Sequence, residues 1–360
     1  MSDLTDSDSE NKSTTKGTRS RTFWYAGLCC TLLISACYIN RHRWPFFVFH
    51  VAISPSGEQL LVFHNTNFFI PTLVPSKHQV SLCNIRNQEV LWTATIQRRF
   101  VYRLMFSPEG APVVLHQSGY YSVYNQDGQE TTKKLEIGGA MRDAIMVGNE
   151  VFAINRHGKW CIGNRVGIFE PQSLFDSERV TASIAPGGEM IAAMDPYSRQ
   201  LHIQLMETNK TQMVDFPDKI EDIASIEHRQ ILVLTVSGDC FLVALGEDGE
   251  AAEVTKLISI DDYNPVGTEG IKRIDSVNDG SLFILYTLRQ KPILNIFEKE
   301  GGKYKVTRVD CRPQLDRDEH SGFSEVVCSE TKDLCAWASS FRKLGIVKKK
   351  EGAWVSESSF

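Results

Sequence analysis

Four short turns recur along the chain, each set between two β-like apolar runs: Ser54-Pro55-Ser56-Gly57, Ser107-Pro108-Glu109-Gly110, Ala185-Pro186-Gly187-Gly188 and Val277-Asn278-Asp279-Gly280. Proline presets φ for such a turn, and glycine supplies positive φ without a steric cost. The first two copies lie 53 residues apart, and the next two gaps are 78 and 92 residues. Each of the longer gaps is about two repeats of ~40–46 residues, the length of one β-propeller blade. A chain with this repeat is expected to be all-β, with blades arranged radially so that each buries the faces of its neighbours.

From Trp44 onward the sequence divides into seven such units of short, alternating apolar and polar runs punctuated by Gly, Asp, Asn and Pro. In the first unit the strands are expected at Phe46 to Ser54, Gln59 to His64, Gln79 to Ile85 and Val90 to Ile96. The second repeats this at Phe100 to Ser107, Pro112 to His116, Tyr120 to Tyr124 and Thr131 to Ile137. The third unit, from Asp143 to about Phe175, matches the pattern least, so six blades with an irregular insertion is the other count the spacing allows. The remaining units begin near Val180, Ile220, Ile271 and Phe323.

Over about 315 residues the pattern resembles the WD40-like propellers. Val80-Ser81-Leu82-Cys83-Asn84-Ile85 followed by Glu89-Val90-Leu91-Trp92 echoes the third and fourth strands of such a repeat. The slot for Trp-Asp holds Cys83-Asn84 here and Tyr124-Asn125 in the second unit, and the sequence has no Gly-His dipeptide. The resemblance implies the fold and a role as an interaction platform, since fold alone does not choose a function.

Ahead of the repeats, residues 1–22 are polar and lack any apolar period, the composition of a disordered tail. Residues 23–39 then form a run of 17 without a charge, flanked by Arg19 and Arg21 before it and by Arg41 and Arg43 after it. As a helix it would span about 25 Å, the short end of what a bilayer requires. Trp24, Tyr25, Tyr38 and Trp44 sit at its ends, where aromatic residues favour a membrane interface. An uncleaved transmembrane signal anchor is the preferred reading, with the tail in the cytoplasm and residues 44–360 outside it. Two other readings remain open: a cleaved signal peptide, and a lipoprotein signal acylated at Cys37, because Ile34-Ser35-Ala36-Cys37 resembles a bacterial lipobox.

Chemistry-bearing motifs are sparse. The sequence contains no Gly-rich phosphate loop, nucleophile elbow or H-E-x-x-H helix, so no cofactor is expected. A net charge of −5 leaves no basic footprint for nucleic acid, and Lys348-Lys349-Lys350 reads as charge on a solvated edge or turn. The pairs Asp261-Asp262 and Asp316 with Asp318 have loop composition and read as solvated charges.

Aligned on their second strands, six of the seven units end that strand in a hydrogen-bonding residue: His64, His116, Asn155, Asp195, Thr235 and Thr287, with Ala338 in the seventh. His64, His116 and Asp195 are metal-ligand types that such a ring could offer at one channel mouth. The simpler reading is that polar residues end strands and satisfy the backbone of turns.

Of nine cysteines, Cys29, Cys30 and Cys37 belong to the apolar run, and Cys83, Cys161, Cys240 and Cys311 read as small buried hydrophobes. Cys328 and Cys335 are placed to face each other across a hairpin, where an oxidising compartment would permit a disulfide. Asn209-Lys210-Thr211 is a glycosylation sequon, relevant only on a eukaryotic secretory route. The connection Asn65 to Lys77 is long and carries Phe68, Phe69 and Ile70, a candidate partner-binding loop.

These observations point to a membrane-anchored propeller that binds or scaffolds an unidentified protein partner. A propeller hydrolase or lyase with a site at the channel mouth, and a structural ectodomain of a membrane complex, are the alternatives.

Overall fold

The computed structural model describes residues 47–65, 78–96, 101–137, 140–170, 174–175, 180–196, 198–246, 252–259, 272–287, 293–311, 323–339 and 344–357. The tail, the apolar run 23–39 with Cys37, and the loop bearing Phe68, Phe69 and Ile70 lie outside these residues, as do Asp261, Asp262, Asp316 and Asp318. Among the described residues no helix is long and apolar enough to cross a membrane.

Among the described residues, twenty-eight strands form seven four-stranded antiparallel meanders, each built from consecutive strands. The blades are β1(Phe47–Ile53) to β4(Val90–Thr95), β5(Val101–Phe106) to β8(Glu130–Lys134), β9(Met141–Val147) to β12(Arg165–Ile168), β13(Thr181–Ile184) to β16(Thr211–Asp215), β17(Ile220–Ile226) to β20(Glu253–Ile258), β21(Lys272–Ser276) to β24(Lys303–Asp310) and β25(Phe323–Cys328) to β28(Ala353–Glu357). The count is therefore seven, and the weakly patterned third unit is a complete blade whose fourth strand is β12.

The first strand of each blade touches the first strands of its neighbours in cyclic order, from β1 through β5, β9, β13, β17 and β21 to β25 and back to β1. Among the described residues no strand is exchanged between the first and last blades, and that junction is made by contacts of β1 with β25 and β26.

The recurrent turn joins the first two strands of a blade. Gly57 adopts φ +73° and donates its N–H to the Ser54 carbonyl at 2.9 Å, while the Ser54 N–H reaches the Gln59 carbonyl at 2.9 Å. The last blade builds the same turn at Ser329-Glu330-Thr331-Lys332, where Lys332 takes φ +61° and donates to the Ser329 carbonyl at 2.9 Å.

The apolar core lies between blades rather than within them. One cluster joins Leu61, Val80 and Leu82 of the first blade to Leu104, Val114 and Tyr124 of the second. Another joins Leu294 and Ile296 of the sixth to Phe323, Val326 and Trp337 of the seventh. A β-sheet with two apolar faces can be satisfied only by a sheet on each side, and a closed ring supplies both.

Candidate functional site: the channel wall

Several polar groups at the second-strand ends bond within their own blades. His64 is buried, and its Nε2 lies 2.8 Å from Ser81 Oγ, which lies 2.7 Å from Thr93 Oγ1, so the network runs outward across β2, β3 and β4. His116 repeats this in the next blade, with Nε2 3.0 Å from Ser122 Oγ, and Ser122 Oγ donates in turn to Glu130 Oε1 at 2.5 Å. Burial holds the His64 imidazole down to about 4, so it is neutral at physiological pH. Asn155 instead caps its own turn, its Oδ1 accepting the His157 and Lys159 N–H groups at 2.9 and 3.1 Å.

Asp195 is half-buried in the fourth blade. Among the described residues no three His, Cys, Asp or Glu side chains gather as a metal centre. The physical reason is position: the second strand stands behind the first, so its end faces its own blade rather than the axis.

The first strands carry the convergent chemistry. Asp143 on β9 is buried and joins three blades: its Oδ1 lies 2.5 Å from Arg103 Nη1 on β5, and its Oδ2 accepts the Ile184 N–H of β13 at 2.8 Å. Arg103 also donates to the Ala144 carbonyl at 2.9 Å. Ser183 on β13 accepts the Ser225 N–H of β17 at 2.8 Å. Asp222 on β17 faces Arg273 Nη1 of β21 at 3.5 Å and accepts the Ile274 N–H at 3.0 Å. Asp275 on β21 accepts the Cys328 N–H of β25 at 3.1 Å. Glu325 on β25 closes the ring, accepting the Val51 N–H of β1 at 2.7 Å with His50 Nδ1 3.5 Å away.

These contacts bridge six of the seven blade junctions, among the described residues, with one recurring device. A side chain on one inner strand satisfies the free-edge N–H, or pairs with the charge, of the inner strand beside it. Unpaired backbone donors inside a protein are costly, so the device caps an edge that sheet pairing leaves open.

Electrostatics follow from the crowding. Burial pushes the Asp222 carboxyl up to about 6 against the pull of Arg273. Burial pushes Asp275 up to about 7, with Glu325 adding to the rise and Arg103 and the Cys328 N–H opposing it. The Tyr286 phenol is likewise held well above its ordinary value by burial and by Asp275, Glu325 and Asp222. These are the groups an acid–base site would use. Each carboxylate of the belt, however, is already committed to a backbone N–H of the next blade.

The remaining expectations fall as follows. Lys348, Lys349 and Lys350 are ion-paired, to Glu357 at 3.2 Å, Glu298 at 2.5 Å and Glu357 at 2.6 Å, on the interior strand β27 rather than at an edge. Cys83, Cys161, Cys240 and Cys311 are buried free thiols, and burial pushes Cys83 and Cys311 up to about 12. Cys328 and Cys335 are register partners on β25 and β26(Leu334–Ser339) and are free thiols with Sγ atoms 3.4 Å apart.

No family model and no curated protein matches the sequence. Solved structures share the fold. Kuenenia stuttgartiensis hydrazine synthase is 14% identical with a TM-score of 0.57, covering 85% of this chain and 96% of that one. The Cps50 (Swd1) β-propeller domain of Myceliophteria thermophila is 12% identical with a TM-score of 0.59, covering 83% and 96%. U3-55K is 8% identical with a TM-score of 0.53, covering 81% and 88%. The chain is thus a seven-bladed β-propeller, and identities this low carry the fold alone.

Proposed function

We propose that this chain is a membrane-anchored propeller that serves as a binding or scaffolding module for a protein partner. Residues 23–39 act as the signal anchor, and the propeller stands outside the cytoplasm. The observation that carries the binding role is the commitment of the channel wall: its carboxylates and serine clamp one blade to the next, which makes a rigid ring and leaves loops and perimeter for contact. The loop with Phe68, Phe69 and Ile70 is the proposed contact, because clustered aromatic side chains are what interface cores favour.

An enzymatic reading has one specific support, the raised proton affinity of Asp222 and Asp275. It requires both carboxylates to leave the N–H groups they now hold.

Fractionation of the full chain from eukaryotic cells tests the topology. The protein should resist carbonate extraction, the propeller should survive protease outside sealed vesicles, and Asn209, exposed beside β16, should carry a removable glycan. Extraction by carbonate would overturn the anchor, and digestion of the propeller in sealed vesicles would overturn its orientation. For the partner, crosslinked complexes should be lost when Phe68, Phe69 and Ile70 are all changed to serine. Complexes unchanged by that triple substitution would remove this loop from the interface, and co-purification of a fixed set of membrane subunits would favour the structural-ectodomain role.

A further inference from the structure

Cys328 and Cys335 occupy a position built for bonding. They stand directly opposite on β25 and β26, the two strands that share the Ser329–Lys332 turn. The neighbouring pair is the hydrogen-bonded one, since the Ser329 N–H donates to the Leu334 carbonyl at 2.8 Å. Hydrogen-bonded and non-hydrogen-bonded pairs alternate along an antiparallel ladder, so Cys328 and Cys335 form a non-hydrogen-bonded pair, whose Cα atoms lie ~4.5 Å apart. That spacing falls at the close end of the disulfide range.

The Cys328 N–H, free of the ladder, is held from outside by Asp275 at 3.1 Å, which fixes the strand on the side away from Cys335. The two sulfurs are 3.4 Å apart, Cys335 is fully buried and Cys328 is half-buried, so only Cys328 offers a route to a reagent.

We propose that Cys328 and Cys335 are an oxidisable pair that closes to a disulfide across the β25–β26 hairpin, with a low-molecular-weight disulfide such as oxidised glutathione as the oxidant. The Cys328 thiolate attacks one sulfur of that disulfide, a Cys328 mixed disulfide forms, and one glutathione thiolate leaves. The Cys335 thiolate then attacks the Cys328 sulfur, the protein disulfide forms, and the second glutathione thiolate leaves. The two protein sulfurs give up two electrons to the oxidant, and the two protons end on the released thiols.

Burial, the adjacent Cys335 thiol and the Asp275 and Glu330 carboxylates hold the Cys328 thiol well above its ordinary value. Thiolate is therefore scarce and closure slow, the behaviour of a structural bond formed in a steadily oxidising compartment rather than of a rapid switch.

Trypsin supplies the test, because Lys332 lies between the two cysteines. The full chain in detergent is incubated with oxidised glutathione, free thiols are alkylated, and the protein is digested without reduction. The peptide ending at Lys332 should be recovered joined to the peptide beginning at Asp333, lighter than their sum by two hydrogens. Cys335→Ser should instead accumulate a glutathione adduct on Cys328, and Cys328→Ser should leave Cys335 reduced. In the wild type, both cysteines recovered as alkylated thiols would overturn the proposal. A lasting glutathione adduct on Cys328, or either cysteine joined to another of the nine, would overturn it equally. The wild-type digest decides the matter even if a serine variant fails to fold.

Discussion

The inner and outer strands of a blade are two ends of one sheet, and each has a backbone edge without a strand partner. Their solutions differ. In the sixth blade the inner strand β21 has its Ile274 N–H taken by Asp222 of the preceding blade, and its own Asp275 reaches forward to the Cys328 N–H of the next. The outer strand β24 of the same sheet carries lysines and an arginine, with Val306 37% exposed among them. Every residue of β8, Glu-Thr-Thr-Lys-Lys, is exposed. Water and charge protect the outer edge from pairing with another chain. At the axis the strands crowd together, and neighbouring side chains take water's place. An edge can be left polar and wet where there is room, but it must be capped where there is none.

The comparison is broken most severely at Asp143. Asp143→Ala removes the partner of Arg103 and the acceptor for the Ile184 N–H at once, so three blades lose contacts. The stranded Ile184 N–H and the loss of the Arg103 pair, whose guanidinium is partly exposed and keeps the Ala144 carbonyl, should together cost about 2–4 kcal/mol, read from chemical denaturation.

Glu325→Ala should cost less, about 1–3 kcal/mol, because one N–H and one histidine contact are lost rather than an arginine pair. Its effect should concentrate at the junction of the first and last blades, where Glu325 holds the Val51 N–H. Hydrogen exchange at Val51 should rise more than at Ile274.

A subtler effect appears in the pH dependence. Asp222 and Asp275 bind protons more tightly folded, at about 6 and about 7, than their ordinary value of 3.8. The stability they contribute is complete below that ordinary value and is lost as pH rises through the folded values. His64 runs the other way: its contribution is present above 6.5 and is lost as pH falls toward about 4. Asp275→Asn keeps an acceptor for the Cys328 N–H but cannot ionise. The decline in denaturation midpoint between about pH 5 and about pH 8 should therefore be shallower in this variant than in the wild type.

The smallest effect belongs to the perimeter. Met213 on β16 is 56% exposed, and Met213→Lys should change stability by no more than about 0.5 kcal/mol. A loss comparable to that of Glu325→Ala would show that the outer strands are clamped as tightly as the inner ones.

Much of the architecture was legible in single segments. The turns at Ser54, Ser107, Ala185 and Val277 announce themselves because proline and glycine carry their conformation locally. The equivalent turn at Ser329 is hidden because Lys332 adopts the left-handed φ that glycine usually fills. The fourth strands of the third and fifth blades are equally hard to read. β12 is four residues long and contains Gly167, while β20 exposes four consecutive residues, Glu253 to Lys256, so neither shows an alternation of buried and exposed positions.

The second-strand ends are legible as polar positions, and His64, His116 and Asp195 lie in the first, second and fourth blades as the unit boundaries predict. A further signal lies one strand earlier: Arg103 and Glu325 are the only charges in β5 and β25, Asp143 and Asp222 stand beside Arg142 and Glu221 in strands otherwise apolar or small, and Asp275 shares β21 with Lys272 and Arg273.

By itself the sequence determined what is local: the strand periods, the proline and glycine turns, the spacing of seven units and the facing of Cys328 and Cys335 across one hairpin. The belt was decided only by tertiary structure. Its members stand tens of residues apart, and no local rule says which charge meets which N–H. Closing seven twisted sheets into a ring brings their first strands to one axis, where each free edge lies beside a neighbour that can cap it.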